Sequence, residues 1–181
     1  IFSNINASLA NLVVTENKEK QRKTFLWINF ITFWIFGILS IILYFIINLF
    51  ITIWLGSAFL LPKSVSLILV INFFMIGIQS SFWSFKSVYG LFKEGQYVVL
   101  ITATLNLILS YLLGEKFGIV GVLSATALSR LITNFWYDPY IVIKKALQID
   151  FFKYFFKYLK YVFVVLLTGV CVNVISSYIN S

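Results

Sequence analysis

Five long apolar stretches run along the chain, separated by breaks that carry most of its charges, and the tail of a sixth precedes them. They cover residues 25–56, 64–85, 97–113, 117–137 and 159–179, and 1–14 reads as the end of a helix. A bilayer core of about 30 Å is crossed by about 20 helical residues, so each of the five can span it. Residues 97–113 stand at the short limit, whereas 25–56 has length to spare for a tilt or a kink near Gly37. Helices are predicted because a helix satisfies its own backbone groups where no water is present to do so. Trp27, Trp54, Tyr97, Trp136 and Tyr137 fall near segment ends, where aromatic rings favour the membrane–water interface.

Composition decides between a membrane and a soluble core. The chain is 61% hydrophobic and 19% aromatic, with a mean hydropathy of +0.97 and only 11% charged residues. Soluble domains carry about a quarter charged residues. A chain of 181 residues has too little interior to hide this much apolar surface. The expected fold class is therefore an all-α integral membrane protein, a polytopic bundle of about five full helices plus the end of a sixth.

Charge changes the picture by its placement. A net +8 would suggest nucleic acid in a soluble protein, but here no nucleic-acid partner is expected, because the cations sit in alternate loops. Lys18, Lys20, Arg22 and Lys23, then Lys86 and Lys93, then Arg130, Lys144, Lys145, Lys153, Lys157 and Lys160 fall on one side. Only Lys63 and Lys116 fall on the other. Twelve against two places the basic loops in the cytoplasm by the positive-inside rule.

Catalytic and metal chemistry find little support. The chain has no histidine and a single cysteine, Cys171, which leaves no metal set and no internal disulfide. Glu16, Glu19, Glu94, Glu115, Asp138 and Asp150 all read as lying in or beside loops, with no embedded pair for acid–base work. The glycines of GEKFGIVG follow an apolar helix, not a strand, and form no nucleotide loop. Neither a cofactor nor enzymatic activity is expected; the competing reading is a membrane glycosyltransferase or polymerase whose chemistry lies outside this stretch.

Helical faces supply the candidate residues. Gly118, Gly121, Ala125 and Ser129 step along one face of 117–137, the small-residue pattern that lets a neighbouring helix approach closely. Thr126, Arg130, Thr133, Asn134 and Tyr137 gather away from that stripe, polar only toward the cytoplasmic end. A water-filled vestibule would produce this, as would an Arg130 that snorkels to the headgroups. In 64–85, Asn72, Met75, Gln79, Trp83 and Lys86 share a face holding amides, an aromatic ring and a cation. Those groups suit a glycan joined to a pyrophosphate, although amides also glue transmembrane helices together. The expected substrate path comprises Arg130, Lys86, Gln79, Trp83, Asn72 and Asn134. Asn29, Gly37, Ser40, Tyr44 and Asn48 are expected to pack, and Thr102, Asn106 and Ser110 to bond between helices.

Three stretches carry a resemblance. SNINASLANLVVTENKEKQRKTF, then FITIWLG, then GLFKEGQYVVLITATLNLILSYLLGEKFGIVGVLSATALSRLITNFWYDP resemble the second half of Wzx-type polysaccharide flippases. These translocate O-antigen and capsule repeat units and belong to the multidrug/oligosaccharidyl-lipid/polysaccharide exporter superfamily. The likeness is strongest from Trp54 to Lys145 and rests on a loose order of residues without a rigid motif. It implies half of a two-bundle transporter in the bacterial cytoplasmic membrane, partnered by an N-terminal helix bundle of the same chain. It also implies, as cargo, an oligosaccharide on undecaprenyl pyrophosphate; membrane lipid is the other expected partner. A cation-coupled multidrug antiporter of the same superfamily is the alternative, and would favour an intramembrane carboxylate, which this stretch is not expected to hold.

Overall fold

The computed structural model describes Phe2–Ile179; the side chains of residues 2–5, 153, 157, 166 and 171–179 lie outside the description, and with them the expectations for Lys153, Lys157 and Cys171. Among the described residues every regular element is helical. The chain forms α1 (Phe2–Thr15), α2 (Lys18–Trp54), a short 3-10 turn (Ser57–Phe59), α3 (Lys63–Val88), α4 (Phe92–Ile132), α5 (Asn134–Ile141), a π turn (Val142–Ala146) and α6 (Phe151–Ile179). The described residues up to 148 make one compact unit, and those from 149 make a second, which holds α6. α2, α3 and the stretch Phe92–Ala146 are long and apolar enough to cross a membrane.

α3 is the centre of the first unit: α1, α2, α4, α5 and the π turn all pack on it. α2 and α3 run antiparallel in a register fixed by polar pairs along their whole length. The Tyr89 hydroxyl donates to Gln21 Oε1, Asn29 Nδ2 donates to Ser81 Oγ at 2.8 Å, and Asn48 bonds the backbone N–H and C=O of Leu61. Burial raises the Tyr89 phenol above its ordinary value, so its proton stays available to Gln21. Between these pairs Phe36 lies over Gly77, where a Cβ would overlap the ring. Phe25, Phe82 and Phe85 are fully buried, with Phe25 meeting the other two edge-on at 5.6 and 4.9 Å. The stripe Asn29, Gly37 and Ser40 is buried, so it packs as its spacing predicts.

α4 is a hairpin of two helical arms, 92–117 and 119–132. The arms join at Gly118, whose φ of 60° and ψ of −138° are open to glycine and strained for other residues. This corrects two expectations. The break falls at Gly118 and not at 114–116, and Gly118 is exposed with open space around it, so it turns the chain instead of packing. Gly121 does pack: a Cβ there would overlap the Leu113 carbonyl of the opposite arm, which is backbone and cannot yield. Ala125 and Ser129 follow it into the interior.

The two arms are laced by polar groups. Asn106 Nδ2 donates to Thr126 Oγ1 at 3.1 Å, and Thr102 Oγ1 lies 2.7 Å from Thr133 Oγ1 and 2.9 Å from Asn134 Oδ1. The Tyr137 hydroxyl donates to the Glu94 carbonyl at 2.7 Å. Each such bond between membrane helices contributes about 0.6–2 kcal/mol.

One end of this unit gathers the N-terminus of α2, the C-terminus of α3, the start of α4 and the π turn. Asn17 caps α2 by accepting from the Lys20 N–H at 2.9 Å. Lys18 donates to the Ala146 carbonyl, and Arg22 donates to those of Leu147 and Gln148. Cations there satisfy the carbonyls that a helix C-terminus leaves unpaired.

Candidate functional site

α3 and the second arm of α4 run parallel, and three polar couples mark the seam between them. Asn72 Nδ2 donates to the Leu123 carbonyl at 3.0 Å. Arg130 Nη1 donates to Gln79 Oε1 at 3.4 Å, and Lys86 Nζ stands 2.7 Å from Asp138 Oδ1. On α3 the positions 72, 79 and 86 are seven apart, close to two turns, so they share one stripe. On the partner the steps are seven and eight. The extra residue is absorbed at Thr133, whose φ of −114° and ψ of −90° end α4 before α5 restarts at Asn134. Polarity thus rises along the seam from amide to guanidinium to a full ion pair.

The innermost couple is structural. Asn72 also donates to the Ile68 carbonyl of its own helix, and its Oδ1 is buried without a partner.

The middle couple is different, because its donors are largely idle. Gln79 is buried and its amide nitrogen has no partner. Arg130 is partly buried, and the long bond to Gln79 is its side chain's one hydrogen bond among the described residues. A guanidinium offers five N–H groups in a planar fork, so most of this one remains available for an anion.

The last couple corrects the reading of the carboxylates. Asp138 lies inside α5 with a side chain only 2% exposed, against 12% for its partner Lys86. Lys86 reaches it across Gly95 of α4, whose missing Cβ leaves the space that the ammonium fills. Asp138 Oδ2 is buried with no partner. A charge so placed is tolerated because its counter-ion is beside it.

The candidates therefore separate. Gln79 and Arg130 come together; Lys86 lies one step along the same seam, engaged by Asp138. Asn134, at the start of α5, meets Thr102 of the first arm of α4 and lies apart from the seam. Trp83 is 59% exposed and stands outside the seam. Thr126, Thr133, Asn134 and Tyr137 each bond to the first arm of α4. Asp138, Gly95 and Gly77 were not singled out by the sequence. Asp138 is eight residues beyond Arg130, which on an unbroken helix turns it about 80° off the stripe, and only the break at Thr133 brings it back.

Comparison with protein-family models, with curated proteins and with solved structures finds no match to this chain. The site stands on its own geometry. Among the described residues no cluster of histidine, cysteine or carboxylate side chains is arranged to hold a metal ion.

Proposed function

We propose that this chain is a transporter, not an enzyme, and forms half of a flippase for lipid-linked oligosaccharides in the bacterial cytoplasmic membrane. The observation that carries the reading is the pairing of Arg130 with Gln79. It sets a nearly free guanidinium fork beside a buried, unpartnered amide nitrogen, within a helix pair apolar enough to lie in a bilayer. Buried polar groups without partners are costly, and intramembrane cations more so, so donors left idle there suit an anionic ligand that passes through. A pyrophosphate joined to a glycan presents such oxygens. The cargo and the second bundle come from the family resemblance, and alternating access by rocking one bundle against the other is the mechanism it suggests.

In this mechanism the cargo's phosphate oxygens meet Arg130 first in a two-point contact, and Gln79 supplies a neutral donor beside it. Lys86 is held by Asp138 and supports the seam. Arg130→Lys keeps the charge and loses the fork, so it reduces polysaccharide export at unchanged protein level, and Arg130→Gln reduces it further. Full export by Arg130→Gln at normal abundance would leave only a snorkelling arginine and remove the site.

The alternative, a cation-coupled antiporter, is favoured by one observation. Asp138 is a buried carboxylate of the kind it asks for, with one oxygen unpartnered. Dye efflux driven by a sodium or proton gradient and abolished by Asp138→Asn would establish that reading.

A further inference from the structure

α5 and the π turn form a short unit with two unlike faces. Its inner face holds Phe135, Asp138, Ile141 and Val142, all buried. Its outer face presents Trp136 and Tyr140, 44% and 38% exposed, and then the exposed Lys144. These three follow at steps of four, so they align along one stripe. The unit is anchored at both ends, by the Lys86–Asp138 pair and by Lys18 and Arg22 on its terminal carbonyls. Its outer stripe is therefore held in place.

The cations at this end differ in what answers them. Lys20 faces Glu16, Lys23 faces Glu19, Lys86 faces Asp138 and Lys145 faces Glu94, while Lys18 and Arg22 meet carbonyls. Lys93 and Lys144 meet no anion among the described residues, and of the two it is Lys144 that a side chain holds. Its ammonium donates to the Tyr140 hydroxyl at 3.1 Å and sits 5.2 Å from the centre of that ring. It is a positioned charge that lacks a counter-charge among the described residues. An indole and a phenol beside it belong at the depth of lipid headgroups.

We propose that Trp136, Tyr140 and Lys144 form a binding site for the phosphodiester headgroup of an anionic phospholipid. Lys144 takes the phosphate, Tyr140 fixes the lysine, and Trp136 lies along the upper acyl chain. The proposal rests on the membrane reading, not on the flippase.

The test places the protein in nanodiscs of phosphatidylcholine with added phosphatidylglycerol and counts retained lipids by native mass spectrometry. One lysine near an anionic surface contributes about fivefold in lipid affinity. Lys144→Gln should therefore retain phosphatidylglycerol about fivefold more weakly, and Tyr140→Phe should fall between it and the wild type. Lys20→Gln, whose cation is already answered by Glu16, should match the wild type. Equal losses in Lys144→Gln and Lys20→Gln would mean diffuse charge attraction and overturn the site. So would equal protection by soluble glycerophosphoglycerol, which would make the ligand a free anion. Failure to enter nanodiscs at all would instead overturn the membrane reading itself.

Discussion

Removing one member of the Lys86–Asp138 pair should destabilise the protein far more than removing both. The side chains are 12% and 2% exposed and 2.7 Å apart, so the pair sits largely out of water. Lys86→Met leaves a buried carboxylate with no counter-ion, and Asp138→Leu leaves a buried ammonium. Either change costs about 3–5 kcal/mol, whereas apolar replacement of a whole pair is often neutral or stabilising. At roughly 2–4 °C per kcal/mol for a chain of this size, each single variant should melt roughly 6–20 °C below the wild type. The double variant Lys86→Met/Asp138→Leu should recover most of that loss. Thermal unfolding in nanodiscs, followed by near-ultraviolet circular dichroism, reads all four proteins. Gly95→Ala adds a third axis, because its new Cβ takes the place of the Lys86 ammonium. It should be damaging in the wild type and mild in Lys86→Ala. Single variants that melt with the wild type, or a double variant whose loss equals the sum of the singles, would refute a buried pair.

Two further outcomes are expected. Gly121→Ala should lower the yield of folded protein, since its Cβ overlaps the Leu113 carbonyl, and Ile119→Ala, at a position 64% exposed, should leave the yield unchanged in size-exclusion profiles. In intact cells of a Cys171→Ser background, an impermeant thiol reagent should label cysteines at 63 and 115 but not at 20, 93 and 145; labelling at 93 without 63 would invert the topology.

The apolar segments within α2, α3 and Phe92–Ala146 were legible because length and hydropathy suffice to mark a helix able to cross a membrane. Helix starts were less so. The sequence placed the second helix from 25, where the apolar run begins, yet α2 starts at Lys18. Its first turns are polar: they carry the Asn17 cap and the pairs Glu16–Lys20 and Glu19–Lys23, which hydropathy does not register. Hairpin lacing was legible in part: of Thr102, Asn106 and Ser110, which step by four, the first two bond across the arms, while Ser110 makes no such bond among the described residues. The polar face around Arg130 was legible as a face, while the sequence left open whether a vestibule or a snorkelling arginine produced it. Periodicity tells which residues look the same way; it does not tell whether water or another helix stands opposite. Here the first arm of α4 stands opposite most of them, and α3 stands opposite Arg130.

The same ambiguity runs through the basic end. A count of twelve cations against two reads as a topology signal, and each cation counts alike in it. The structure divides them by task. Lys18 and Arg22 close the carbonyls of 146–148, and Lys86 neutralises a carboxylate that Gly95 lets it reach. Those three hold one short unit in place, and none is free to meet a ligand. Charge that specifies orientation and charge that builds the fold are the same residues here, so counting cannot separate them from charge that serves function. What separates them is the partner. A cation that closes helix-end carbonyls or meets a carboxylate supports the structure, whereas Arg130 and Lys144, which meet a side-chain amide and a phenol, are left without a counter-charge among the described residues.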